Sequence, residues 1–385
     1  MTSKAMTSKA THRQGPVRVT INDLAADLGL AKGTVSRALN GYGDIAEGTR
    51  LRVARAAERM GYRPLAQAQA IRTGRARSLG LVLNAGRSDA HKPFLTDFLD
   101  GISRGASLES WTLTVATAED EADEVATMSR LIDERKVDGF ILPRTKLQDA
   151  RIALCLARAV PFILYGRTGD AQGCAWFDIC GEDAMHDAVL RLARFGHRRI
   201  GWLGGMQDYN YTHLRRGGFL AGMAEAGVTP DPALMEDGVF TIEDGFNAGL
   251  RLLDHPDPPT AVVCALDLAA LGLYRAAARA GREVGRDLAV ISYDGIPEAA
   301  LADPPLTTFA VDTRAAGREL AAMLIARIRG TPPEDLRRIV PARLIPRASD
   351  RLTGPVCTVP QGAAPQPDPD RDQNVPDRKP MGGLT

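Results

Sequence analysis

Cysteine is scarce in this chain, and what there is does not pair. Cys155, Cys174, Cys180, Cys264 and Cys357 are odd in number and lack the close spacing of a zinc site or a disulfide framework. They read as reduced thiols. The six histidines form no metal-spaced cluster, and His197 in FGHRRI reads as a structural residue at a helix-to-strand turn. Long apolar runs are missing too, none approaching the roughly 18 residues of a membrane span. The opening MTSKAMTSKATHRQG has no apolar core segment, so residues 1–16 read as a polar, disordered leader rather than a secretory signal. Nucleotide motifs are likewise absent. GWLGGMQ is rich in glycine but lacks the GxGxxG spacing that cradles a pyrophosphate, and there is no P-loop or GxSxG elbow. The sequence therefore predicts no membrane association, no metal, no cofactor and no enzyme.

What is present is an uneven charge. The net charge of +1 conceals thirteen Lys and Arg against five Asp and Glu over residues 1–75, a net of +8, which leaves −7 for the rest. A basic head on an acidic body suits a protein whose head alone meets a polyanion. Hydrophobic residues at 44% and charged residues at 25% are ordinary for a globular chain, and 385 residues allow two or three domains.

Residues 17–63 read as a three-helix unit. Thr20 with Asp23 three residues on is a capping pair, after which Ile21, Leu24, Ala25 and Leu28 share one face. The second helix takes in Val35, Ala38 and Leu39, and the third carries Leu51, Val53, Ala54, Ala57 and Met60. Pro64 closes the unit. Residues 64–76 hold a short Ala- and Gln-rich segment. From 77 to 349 short apolar runs such as SLGLVLN, DGFILP and LAVISYDG alternate with helical stretches at Phe94–Leu108, Glu182–Phe195, Leu214–Ala226, Ile242–Leu253 and Asp267–Ala280. That rhythm predicts an α/β body of parallel, doubly wound sheets, and its length predicts two similar lobes. Residues 350–385, with seven prolines from Thr353 on, read as a disordered tail.

The pattern Ala25, Gly29, Val35 fits a helix-turn-helix: a small residue for close packing, a glycine for the tight turn, and an apolar plug between the helices. The longer run VTINDLAADLGLAKGTVSRALNG, followed by TRLRVARAAERMGYRP, resembles the head of the lactose/purine repressor family of bacterial transcription regulators. The resemblance continues through the body to about residue 348. It implies that the second helix lies in the major groove of operator double-stranded DNA, with Lys32, Gly33 and Arg37 at base edges and Arg37 able to bond G O6 and N7 together. Thr20, Thr34, Ser36 and Asn40 would hold phosphates, and Tyr62 is counted with the DNA-facing set. Residues 64–76 would be a hinge helix in which Ile71 enters the minor groove and Ala68 makes the close contact. Three residues depart from the family pattern: Ala31 replaces a capping Ser or Thr, Gly33 has no side chain to read with, and Leu65 replaces a common Asn.

For the body the resemblance is to periplasmic sugar-binding proteins, with a ligand cleft between two lobes. It implies that Arg215, Asp294, Phe240, Phe94, Asp183, Tyr211 and Asp267 face a small-molecule effector, a sugar or sugar derivative; carboxylates, arginine and aromatic faces suit a polyol. Gly295, Cys180-Gly181, Leu266 and Val311 depart from the residues frequent in the family, and Tyr209, Asn210 and Tyr211 offer replacement contacts. The implied protein is a cytoplasmic, nucleoid-associated homodimer whose operator affinity is set allosterically by the effector. The alternative is a cytoplasmic solute-binding sensor with degenerate DNA recognition.

Overall fold

The computed structural model describes residues 19–63, 74–84, 94–169 and 173–351. Ala68 and Ile71, the leader and the Pro-rich tail lie outside the described residues. In the head, α1 (Ile21–Leu28), α2 (Lys32–Leu39) and α3 (Glu47–Met60) surround a small core in which Leu24, Val35 and Val53 are fully buried. The expected capping pair forms. Asp23 N–H donates to Thr20 Oγ1 at 3.3 Å, and Thr20 N–H donates to the Asp23 carboxylate at 2.8 Å, which satisfies donors the first turn leaves open. That backbone hydrogen bond also holds the Asp23 carboxyl below the usual carboxylate range. Gly29 ends α1 in the left-handed region at φ 63°. In α3 the inward residues are Val53, Ala56 and Ala57, while Leu51 and Ala54 face solvent. The 100° step of a helix puts 53, 56, 57 and 60 on one stripe and turns 51 and 54 away from it.

The chain divides into two compact units, the head counted with the first, and each unit carries one sheet of the body. In chain order the elements of the body are β1 (Ser78–Asn84), α4 (Phe94–Leu108), β2 (Thr112–Ala118), α5 (Glu121–Asp133), β3 (Gly139–Pro143), α6 (Ala150–Ala157), β4 (Phe162–Tyr165) and β5 (Trp176–Cys180). Next come α7 (Gly181–Arg194), β6 (Ile200–Leu203), α8 (Asn210–Glu225), β7 (Met235–Glu236), α9 (Ile242–Leu253), β8 (Ala261–Cys264), α10 (Asp267–Arg279) and β9 (Ala289–Asp294). The last are α11 (Pro297–Leu301), β10 (Thr307–Ala310), α12 (Thr313–Ile328), β11 (Arg337–Pro341) and β12 (Arg343–Ile345).

The first unit has a six-stranded sheet ordered β11-β5-β4-β3-β1-β2. Its inner strands β1, β3 and β4 are buried on both faces, as parallel strands between helices must be, while the edge strands β2 and β11 are largely exposed. Leu79, Leu81, Ile141 and Ile163 join Phe98 and Ile102 of α4 and Leu320 and Leu324 of α12 in one cluster. The alternate residues Val82, Phe140, Leu142 and Leu164 pack on the other face with Met128 of α5 and Cys155 of α6. The period of two is what divides them. The second unit has a six-stranded sheet ordered β12-β10-β9-β8-β6-β7. Its pairs are parallel except at one edge, where β12 runs antiparallel to β10, Phe309 opposite Leu344. Apart from that edge pair the expected parallel arrangement holds in this sheet.

The body also runs one residue past its expected end at 349. Asp350 is fully buried, accepts a hydrogen bond from Thr307 Oγ1 at 2.8 Å and pairs with Arg191. Ser349 Oγ donates to the Val290 carbonyl at 2.7 Å. A carboxylate held this way belongs to the core and not to a tail. Among the described residues no helix is long and apolar enough to cross a membrane.

Ala31 stands at the N-cap of helix α2 and offers no side-chain cap. Ala31→Ser is expected to stabilise the head by about 1 kcal/mol, read as slower hydrogen exchange of the α2 amides in the full chain. Unchanged exchange would show that the first-turn donors of α2 already have partners.

Candidate functional site

Helix α2 presents one polar face. Lys32, Gly33 and Arg37 are exposed, with Thr34, Ser36 and Asn40 half-buried beside them. A Cβ added at Gly33 would meet nothing within 4 Å, so the gap in the reading surface is real but open. Asn40 turns back on its own helix, its amide donating to the Ser36 carbonyl at 2.6 Å. Arg37 pairs with Asp44, and its guanidinium lies 5.5 Å from the centre of the Tyr42 ring. Thr20 stands at the start of α1, where its hydroxyl is part of the cap. Tyr62 follows α3, half-buried against the head core, with its N–H donated to the Ala57 carbonyl at 2.8 Å.

In the second unit the expected ligand residues fall into three groups. Arg215 on α8 donates from Nη1 to the Ala265 carbonyl at 2.7 Å and lies 3.8 Å from the centre of the Tyr293 ring. Asp294 follows Tyr293 at the end of β9 with φ 124°, a left-handed conformation rare for a residue with a side chain. Gly295 comes next at φ 75°, and a Cβ there would sit 2.5 Å from that of Ala310. The acidic residue frequent at that place in the family has no room here. Phe240 is buried just ahead of α9, its N–H donated to Asp244 at 3.3 Å. Asp183 is exposed in the first turn of α7, near Cys180, whose thiol burial pushes up to about 12.

Asp267 requires a correction. Expected to face the effector, it is fully buried at the start of α10. It accepts from Ser292 Oγ, from Thr308 Oγ1 at 2.7 Å, and from the N–H groups of Gly295 and Ile296 at 2.8 and 2.9 Å. Burial pushes its carboxyl up, and the four donors pull the other way. With its oxygens so occupied, Asp267 positions the 294–296 loop and presents no surface to a ligand.

The first unit contains an open pocket of about 610 Å³, solvent included, whose lining includes Asn84, Phe98, Glu124, Arg144, Lys146 and Tyr209. It lies at the carboxyl ends of β1 and β3, the side of a parallel sheet that ligands favour. Phe98 stacks on Tyr165 at 5.1 Å, and Tyr209 stacks on Tyr211 at 5.6 Å. Beneath the wall the buried Arg151 pairs with Glu124 at 2.9 Å and Asp149 at 2.7 Å. Burial raises Glu124, with the Arg151 guanidinium opposing. Lys146 is bonded to Glu121 at 2.6 Å. Tyr209 was anticipated as a contact; Asn84, Arg144 and Lys146 were not, although each ends or follows a recognisable strand. Phe94 opens α4, and its side chain lies outside the described residues. Among the described residues no group of three or more His, Cys, Asp or Glu could hold a metal ion.

Comparison with known proteins agrees with this geometry. The profile of bacterial regulatory proteins of the lacI family matches residues 20–64, and that of the periplasmic binding protein-like domain matches residues 189–349. The HTH-type transcriptional regulator AglR of Rhizobium meliloti (strain 1021) is 36% identical over 348 residues, 88% of this chain and 95% of the relative. The HTH-type transcriptional repressor CytR of Escherichia coli (strain K12) is 30% identical over 333 residues, 86% of this chain and 96% of its own. Among solved structures, a transcriptional regulator CelR–cellobiose complex is 30% identical with a TM-score of 0.67, covering 86% of this chain and 100% of that one. The lac repressor dimer bound to operator and the anti-inducer ONPF, 24% identical, shares the fold with a TM-score of 0.73 over 87% of this chain and 100% of its own.

Asp267→Asn turns an amide NH₂ towards groups that are all donors. The substitution is expected to destabilise the chain by about 3 kcal/mol, measured by denaturant unfolding. An unchanged midpoint would contradict the positioning role.

Proposed function

The chain belongs to the lacI family of bacterial regulatory proteins, whose members are transcriptional regulators and not enzymes, and on that premise we propose that it is a dimeric repressor of a pseudo-palindromic operator, controlled by a sugar-class metabolite. The observation that carries the reading is the exposed face of α2, with Lys32 and Arg37 on a net-basic head joined to two α/β units. Lys32 and Arg37 read base edges; Gly33 gives close approach without readout. Thr20, Thr34, Ser36 and Asn40 hold the phosphate backbone, and Tyr62 belongs to the DNA-facing set. The segment 64–76 acts as a hinge, with Ala68 and Ile71 at the minor groove. Two heads are needed because a head this small reads only one half-site.

Effector binding is assigned to Arg215, Phe240, Asp294 and Asp183 in the second unit and to Phe94, Tyr211 and the pocket around Asn84 and Tyr209 in the first. Arg215 brings a planar guanidinium, held by the Ala265 carbonyl and the Tyr293 ring, and a guanidinium suits the hydroxyls of a polyol. Stacked aromatic rings suit the flat faces of a pyranose. Cellobiose in the CelR complex is a disaccharide, which supports the sugar class. The effector acts by shifting the balance between DNA-competent and incompetent states. The protein works in the cytoplasm, at the nucleoid.

Selection from random duplexes at near-physiological salt tests this reading. The full chain should enrich one pseudo-palindrome of roughly 14–20 base pairs. Arg37→Ala should weaken binding to it by about 10- to 100-fold while scrambled DNA is bound nearly as before. Binding that is salt-sensitive but indifferent to sequence would favour the solute-binding sensor with degenerate DNA recognition.

A further inference from the structure

Arg37 does not stand alone on α2. The loop between α2 and α3 folds back over it: Gly41 adopts φ 70°, Tyr42 N–H donates to the Arg37 carbonyl at 3.1 Å, and Ile45 N–H donates to the Tyr42 carbonyl at 3.2 Å. Ile45 packs on the head core. Those backbone bonds and that anchor fix where Tyr42 and Asp44 emerge. The Asp44 carboxylate lies at the Arg37 guanidinium and the Tyr42 ring beside it, and the two charged side chains remain about half exposed, 54% and 49%.

We infer that Asp44 is a specificity-determining positioning residue of the head, orienting Arg37 towards a base edge and keeping it from serving as a phosphate counterion. The inference rests on the DNA-reading role proposed above. A guanidinium has five N–H donors in a rigid fork, so a carboxylate can take one edge and leave donors for a second planar acceptor. Guanine O6 and N7 form such an acceptor, and they carry no net charge. A phosphate does, and Asp44 repels it. The carboxylate therefore opposes sequence-independent contact more than base reading. It also removes rotamer freedom that a long arginine would otherwise lose on binding. The Tyr42 face restrains the guanidinium plane further through a cation–π contact.

The test uses the full chain, wild type, Asp44→Asn and Arg37→Ala, on the selected operator, its single-base variants and a scrambled duplex, each across a salt series. For Asp44→Asn, affinity for the scrambled duplex should rise about threefold, the magnitude of losing one exposed charge pair. The slope of log affinity against log salt should steepen by about 0.9, the value for one added phosphate contact. Discrimination at the base pair that Arg37→Ala makes indifferent should shrink about fivefold. Thermal unfolding should stay as in wild type, since both side chains are half exposed. Unchanged salt slope and unchanged discrimination in Asp44→Asn would overturn the inference while the operator reading stands. A wild type that prefers no duplex, and binds like Arg37→Ala, would overturn both.

Discussion

A buried carboxylate held by neutral donors organises the second unit. Asp267 has no exposure, and its four hydrogen-bond partners are two hydroxyls and two backbone N–H groups. Taking a carboxylate out of water costs several kcal/mol, so every lone pair must find a donor. Meeting that requirement joins the start of α10 to β9, to β10 and to the 294–296 loop. The same loop carries Asp294 in its left-handed conformation and follows Tyr293, over which Arg215 lies. The second hold on Arg215 is the carbonyl of Ala265, two residues before Asp267. Two of the residues assigned to the effector, Asp294 and Arg215, thus take their places around a carboxylate that is itself fully buried.

The first unit solves a similar problem with the opposite sign. Arg151 is buried on α6 and donates to the Pro143 and Arg144 carbonyls at 3.0 and 3.1 Å as well as to its two carboxylates. It fixes the backbone at the end of β3, from which Arg144 and Lys146 reach the pocket wall. A guanidinium suits this place because its fork can meet carboxylates and carbonyls together. In each unit a buried charge sets the loop at the carboxyl end of a strand, and that loop carries half-buried polar side chains, Arg144 and Lys146 in the first unit and Asp294 in the second.

The head and most of the strands were legible because their signals are local. Thr20 with Asp23, Gly29, and the alternating runs at 78–84 and 289–294 each express a short-range rule. Elements made by tertiary pairing were not. Strand β12 is three residues long and owes its existence to β10; strand β10 reads as TTFA, too short to stand out. Helix α12 has little apolar stripe, because it is buried broadly between α4 and the sheet. Helix α8 starts at Asn210 and not Leu214 because Asn210 is tied down from outside the helix, its N–H donated to the Thr145 carbonyl and its amide to that of Arg167. In the candidate site, residue type singled out Arg215, Asp294 and Asp267 alike, and it could not separate the carboxylate of Asp267, which serves the fold, from one placed to serve a ligand. Burial decides that, and burial is a property of the whole chain. The Arg37–Asp44 pair escaped for the same reason: seven residues apart, they meet only once Gly41 has reversed the chain.

The central claim is that the body governs the reading of DNA by the head, so the decisive measurement is a coupling. Disaccharides and other glycosides would first be screened for those that raise the melting temperature of the full chain. Operator affinity would then be titrated with and without each. The account predicts that a stabilising sugar changes operator affinity by about 5- to 150-fold, and that operator changes affinity for the sugar by the same factor. A sugar that binds and stabilises the body while leaving operator affinity untouched would contradict it.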